Sequence, residues 1–364
     1  MNAEGLDVVS LAIGSPDLPP SPQTIEKLCD VAHEPTAHGY QPTMGTPELR
    51  TAMASFYQRT YAVSLDARSE VLPLIGSKEG ILHTTLAFCN PGDKVLVPNP
   101  GYPTYTSLSR LLGVEVVYYN LTATNQWQPD FNELEAMPLD GVKMLWTNYP
   151  HMPTGAPACI DTYSRLVDFA RRHHIVVVND NPYSFILNDH PLSLLQIEGA
   201  KDHCIEFNSM SKSHNMPGWR VGLCASNATF ISWILKVKSN IDSGTFRGLQ
   251  LAAAEAYNTN SAEWHREHNI DVYKRRRHLA EQIMQTLGCQ YDTQQTGMFL
   301  WGRVPDQYAD AEQLTERILN EARVFITPGF IFGSNGKHYI RISLCANENL
   351  INKALQRIKK WNYS

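Results

Sequence analysis

The chain has 364 residues, 43% of them hydrophobic, which is ample for a large core and predicts division into two domains. A formal charge of −5 and a pI near 6.2 give no electrostatic reason to expect nucleic acid or an anionic membrane as partner. No apolar stretch approaches the roughly 20 residues that span a bilayer, and the first residues lack a charged-then-apolar leader, so the expected location is the cytoplasm.

In chain order, the run Leu11-Ala-Ile-Gly14-Ser-Pro16-Asp17 comes first. Next, Thr46-Pro47-Glu48 supplies a hydroxyl N-cap, a proline at N1 and an early acid, which together open a helix. Short β-branched runs then alternate with amphipathic segments. Strands are predicted over 70–75, 94–98, 114–119, 142–148, 175–180, 203–208 and 220–225, with helical patterns in most gaps, including 160–174. Strands this apolar are buried on both faces, so the expected fold class is α/β, a mainly parallel sheet flanked by helices. After about residue 260 the pattern changes. A long charged helix over 262–287, a strand over 298–303, a helix after Asp310, short strands near Val324 and Tyr339 and a final helix from Asn347 predict a smaller α+β domain. The predicted large unit is 26–262, and the small one is 1–25 together with 263–364.

The densest chemistry lies in Ser209-Met-Ser-Lys212-Ser-His-Asn-Met-Pro217-Gly218-Trp-Arg220-Val-Gly222. One amine stands there among hydroxyls, glycines and a guanidinium that a Pro-Gly turn can fold back. Guanidinium suits phosphate because its planar donors grip two oxygens at once. Such surroundings are what an amine needs to form an imine with a phosphorylated aldehyde, which points to pyridoxal phosphate. Upstream, Gly76-Ser77-Lys78-Glu79-Gly80 joins a strand to a helix, so its amides can face an anion. Asp180 ends an apolar strand at the edge where open α/β sheets bind ligands, although an ordinary N-cap or turn aspartate reads the same way. Arg341, in Tyr339-Ile-Arg-Ile-Ser-Leu344, is a cation inside an apolar strand; either an internal acid or an arriving anion has to complete it.

Together these runs resemble the class I/II aminotransferases of the fold-type-I pyridoxal-phosphate enzymes, over nearly the whole chain. The resemblance implies that Lys212 forms the imine and carries the proton, and that Ser209, Ser211 and Arg220 hold the phosphate. Gly76, Ser77 and Lys78 then form the phosphate cup, and Tyr102 of Pro100-Gly-Tyr-Pro-Thr-Tyr105 stacks on the ring. In the family's D-x-x-Y pattern, Asp180 pairs with the pyridinium nitrogen and Tyr183 hydrogen-bonds the phenolic oxygen. Arg341 grips the substrate α-carboxylate, and Gly14 lines the substrate mouth. Tyr40 and the run 240–244 correspond to segments that cross a dimer interface, which implies a homodimer with shared sites. The implied reaction moves an amino group from an L-amino acid to a 2-oxo acid. A carbon–sulfur lyase using β-elimination, or a non-catalytic ligand-binding protein on the same fold, is the alternative. Asn240–Gln250 is locally most similar to the LL-diaminopimelate and alanine-type branch. The nearness of Leu11 to the start implies a short or absent N-terminal arm.

One position departs from the family pattern. Where N-P-T-G is usual, this chain reads Met152-Pro153-Thr154-Gly155, and a thioether donates no hydrogen bond. Tyr183 alone, Asn148 or His151 is left to serve the phenolic oxygen, and a raised imine pKa is expected. The remaining constellations are assigned structural roles. The seven scattered cysteines predict reduced thiols. His265 and His268 share a helical face without a third ligand, so no metal site is expected and a solvated face is predicted, as for Lys274–Arg277.

Overall fold

The structure, a computed structural model, describes residues 5–362; residues 1–4 and 363–364 of the predicted small unit lie outside them. The strands are β1 (Val9–Ser10), β2 (Val71–Leu74), β3 (Lys94–Asn99), β4 (Glu115–Asn120), β5 (Val142–Thr147), β6 (Val176–Asp180), β7 (Cys204–Ser209), β8 (Gly222–Ala225), β9 (Gln290–Tyr291), β10 (Phe299–Arg303), β11 (Val324–Phe325), β12 (Thr327–Pro328) and β13 (Tyr339–Ser343). A seven-stranded sheet has the order β2-β8-β7-β6-β5-β3-β4. Its pairings are parallel from β4 through β7, whereas β8 runs against both of its neighbours. The mainly parallel α/β sheet is therefore present, and each strand starts and ends within two residues of its predicted range.

Alternation along these strands builds a core on each face, because successive side chains point to opposite sides. Met144, Trp146, Val178, Ile205 and Phe207 pack on one side with Ile81 and Ile234. Leu145, Val177, Cys204 and Leu223 pack on the other with Tyr57, Tyr163 and Leu166. The helix Pro47–Tyr61 opens as expected, with the Thr46 side chain accepting from the Leu49 amide. A second sheet, β12-β13-β10-β9, is antiparallel, while β1 pairs with β11 beside it. Leu300, Ile340 and Ile342 of this part pack against Ile351, Leu355 and Ile358 of the last helix in a core of their own.

Three expectations are corrected here. The helix over 262–287 is interrupted by a π-helical turn at Arg266–Asp271, which turns Asn269 inward to donate to the Ser213 carbonyl at 2.8 Å. His265 is not on a solvated face, since its ring stacks on Phe185 at 4.6 Å and burial pushes its pKa down to about 4. His268 in turn stacks on Trp264 at 4.4 Å. Within Lys274–Arg277, Arg276 is buried on an apolar helical face and pairs with Asp17 at 2.8 Å. All seven cysteines are free thiols.

Candidate active site

The carboxyl ends of β2, β3, β5, β6 and β7, with the turns that follow them, open on one cavity of about 280 Å³. Its far wall is Gly14, Phe299 and Arg341. Of the residues predicted to bind cofactor or substrate, all but Gly76 and Tyr40 line this space. Gly76 lies just behind it and Tyr40 is 94% exposed on the outside.

On the β2 side, Gly76 sits at φ +76° as the N-cap of the helix Ser77–Phe88. A side chain there would be strained by the backbone and obstructed as well, because a Cβ would lie 2.0 Å from Arg220 Nη2. Arg220, itself left-handed at φ 58°, donates to Ser211 Oγ at 3.3 Å and to the Pro217 carbonyl at 2.9 Å. Ser209 caps the short helix Met210–Ser213 by accepting from the Ser211 amide at 3.2 Å. The guanidinium, the two hydroxyls and the free amides of a helix N-terminus thus converge, which is the local chemistry of an anion seat.

Lys212 points from this turn across the cavity, and its ammonium donates to the Gly14 carbonyl. Burial lowers its pKa; Cys345 opposes the change while the Arg220 and Arg341 cations add to it. Asp180 ends β6 and is 5% exposed. Its Oδ2 accepts from the Tyr105 hydroxyl at 3.1 Å, whereas Oδ1 has no hydrogen-bond partner. Burial raises this carboxyl to about 7, with the Tyr105 and Ser77 hydroxyls opposing. A buried acid with one oxygen unsatisfied is costly on its own and awaits a cation or donor.

Arg341 faces the same cavity from its far wall. Among the described residues no acid pairs with it. It donates to the Ala12 carbonyl at 2.9 Å and lies 3.4 Å from Met152 Sδ, with its guanidinium 4.0 Å from the Phe299 ring centre and 4.6 Å from that of Phe332. Burial lowers its pKa to about 10. Tyr183, buried beside it, meets Phe299 edge-on. Asn148 lines the cavity, yet its amide is engaged: it donates to the Asp180 carbonyl and accepts from the Met152 amide at 2.8 Å. His151 is buried outside the cavity with Nδ1 on Thr154 Oγ1 at 2.8 Å.

Sequence reasoning passed over Tyr105 and Phe299. Tyr105 stacks on Trp146 at 5.1 Å and 7°, which aims its hydroxyl at Asp180. Its position three residues after Tyr102, in the first turn of the helix Pro103–Leu111, is the signal that could have found it.

Comparison with known proteins bears on this site. Residues 6–358 match the aminotransferase class I and II family. An LL-diaminopimelate aminotransferase of Dehalococcoides mccartyi is 41% identical over 98% of this chain and 92% of its own length. Another, from Aquifex aeolicus, is 38% identical over 98% and 92%. Among solved structures, apo-BacF from Bacillus subtilis superposes with a TM-score of 0.93 at 34% identity, covering 98% of this chain and 95% of that one. A probable N-succinyldiaminopimelate aminotransferase of Thermus thermophilus gives 0.91 at 30% identity over 99% and 96%. The chain therefore belongs to the aminotransferase class I and II family, as a pyridoxal-phosphate-dependent enzyme that moves an amino group between an L-amino acid and a 2-oxo acid.

Proposed function

We propose that the amino donor is LL-diaminopimelate, with a 2-oxo acid such as 2-oxoglutarate as acceptor. Support comes from relatives named for that substrate, which match this chain almost end to end. The geometric observation that carries the transamination reading is a half-buried amine of lowered pKa, Lys212, facing one cavity with a buried acid, Asp180, and a guanidinium, Arg341, that pairs with no acid among the described residues. This residue set fits pyridoxal phosphate, since the lone Asp180 Oδ1 suits a cationic ring nitrogen and the Gly76–Arg220 cradle suits the phosphate.

In this reading the Ser77 and Lys78 amides, Ser209, Ser211 and Arg220 hold the phosphate, Tyr102 covers one ring face and Tyr183 donates its hydroxyl. When bound, the cofactor supplies an electron sink for the pair released at the substrate α-carbon. Asp180 Oδ1 keeps the facing N–H cationic. Arg341 takes the α-carboxylate bidentately and fixes the direction of the Cα–H bond, while Lys212 Nζ, whose pKa burial lowers, removes that proton. The Dehalococcoides and Aquifex relatives are named as aminotransferases, and nothing in the site favours β-elimination.

Tyr40 and the 240–244 segment are assigned to a homodimer interface that completes a partner's site, a reading supported by the exposure of Tyr40 and Ile241. The cytoplasm is the proposed location, and 26–262 against 1–25 with 263–364 the proposed domain division. The test is an amino-donor panel with 2-oxoglutarate, read as glutamate formed. LL-diaminopimelate is expected to lead; a clear preference for another amino acid overturns the substrate assignment. Borohydride reduction is expected to label Lys212, and a strictly monomeric, active preparation overturns the shared-site assignment.

A further inference from the structure

Behind the phosphate turn, outside the cavity, lies a buried charge cluster with no part in the reaction as described. Glu79 stands in the first turn of the helix Ser77–Phe88, and its Oε2 accepts from the Ile75 amide. Its Oε1 meets His83 Nε2 at 2.6 Å and the Lys238 ammonium at 2.8 Å. Lys238, only 2% exposed at the end of the helix Ala228–Lys238, also donates to Asp242 Oδ2 at 2.5 Å. Asp242 in turn accepts from the Gly244 amide at 3.0 Å. Glu79, His83 and Asp242 bring their ligand atoms close enough to surround a cation, and the ammonium of Lys238 fills that role from within the chain. The cluster is also near the anion seat, because Lys238, Ile75 and Gly244 line the same small cavity of about 20 Å³ as Arg220.

A helix N-terminus attracts anions, and a carboxylate of the protein in that first turn competes for the same field. Here two partly buried carboxylates share one buried ammonium, and charges sheltered in this way are screened less than exposed ones. We infer that Lys238 is a positioning residue for the cofactor phosphate: its ammonium offsets one of the two negative charges that Glu79 and Asp242 place behind residues 75–78 and ties that turn to the 240–244 segment, so that the turn's amides face an anion with less opposition. The inference rests on the reading that seats the phosphate at this turn.

The experiment compares pyridoxal phosphate with pyridoxal, which lacks the phosphate, as ligands of the ligand-free full-length protein and follows the ratio of their affinities. Lys238→Met keeps the volume and removes the charge. It is expected to weaken pyridoxal phosphate on the order of tenfold more than pyridoxal, and adding Glu79→Gln is expected to recover most of that difference. A purely structural role lowers both ligands alike and is not rescued by Glu79→Gln; either outcome overturns the inference. Should Lys238→Met fail to fold, Glu79→Gln alone decides, since it is expected to raise the ratio above the parent's and an unchanged or lower ratio overturns the inference. Gly76→Ala separates the two readings, as its Cβ is driven into Arg220. If it leaves the ratio unmoved, the phosphate seat itself is misassigned; if it lowers the ratio while Lys238→Met does not, only the role of Lys238 falls.

Discussion

Replacing Arg341 with methionine separates a substrate-binding arginine from a structural one, because the two roles predict opposite changes in stability. Burial lowers the guanidinium from its ordinary value to about 10, equivalent to about 3 kcal/mol of unfavourable desolvation. A base whose pKa is lower folded than unfolded destabilises the fold wherever it is charged, so this cost applies at every pH below about 10. Part of it is offset in the ligand-free protein. The hydrogen bond to the Ala12 carbonyl returns about 1 kcal/mol, and the Phe299 and Phe332 faces return about 0.5–2 kcal/mol between them. Arg341→Met is therefore expected to be neutral or stabilising by up to about 1–2 kcal/mol, raising Tm by a few degrees at most. Catalysis responds in the other direction. Losing the partner of a buried carboxylate costs roughly 2–5 kcal/mol, or about 30- to several-thousandfold in kcat/KM. Thermal melts of the ligand-free protein give the first quantity, and steady-state rates with an amino acid and with the matching amine lacking the carboxylate give the second. A 2-oxo acid should also raise the parent's Tm and not the variant's. A melt several degrees below the parent, or equal losses for amino acid and amine, would refute the assignment.

Other perturbations probe the remaining walls of the cavity. Asp180 is neutral in the fold up to about 7, whereas an unfolded aspartate ionises near 4, so its contribution to stability falls as pH rises between those values. Asp180→Asn, without cofactor, is expected to melt above the parent at pH 8, with the gap shrinking steadily below about pH 7 and closing only at about pH 4; a gap that does not depend on pH counts against it. Tyr105→Phe removes a hydrogen bond to that carboxylate, worth about 1.5–3 kcal/mol, and should weaken pyridoxal phosphate about 10- to 100-fold, as read by titration of cofactor absorbance. Unchanged affinity would exclude a positioning role. Met152→Asn places a donor where a thioether now lies against Arg341, and is expected to lower the pH midpoint of the cofactor's visible absorbance change on the order of one unit; an unmoved midpoint removes any role for this position in tuning Lys212.

What was legible in the sequence is what is local. The strands of the large sheet are short apolar runs, which need no distant residue to be recognised, and Lys212, Ser209, Ser211 and Arg220 share one short stretch held together by its own turn. The strand predicted from residue 220 begins at Gly222 instead because Arg220 adopts a left-handed conformation to reach Ser211. Arg276 could have been read correctly, since Tyr273, Arg276, Ala280 and Ile283 repeat on one helical face and all are buried. Charge burial on its own leaves no local signature. Lys238 looks like a solvated helix end, and its partner Glu79 is 159 positions away; Asp17 lies 259 from Arg276. His265 is likewise buried by Phe185, an aromatic from another part of the chain.

These buried cations differ in where their compensation comes from, and that difference separates structure from function. Lys238 and Arg276 each find carboxylates within the chain, so their burial is complete without a ligand. Arg341 and Asp180 are buried to a similar degree, yet among the described residues neither has an oppositely charged partner, and they face one cavity. They do not neutralise each other either, since no ion pair joins them. An uncompensated cation and a buried acid with no cationic partner, held apart across a cavity, suit a ligand that carries a carboxylate toward one wall and a cationic nitrogen toward the other. In the proposed reading the amino acid substrate and the cofactor supply those groups separately, and without them the fold keeps Arg341 and Asp180 buried at a cost to its own stability.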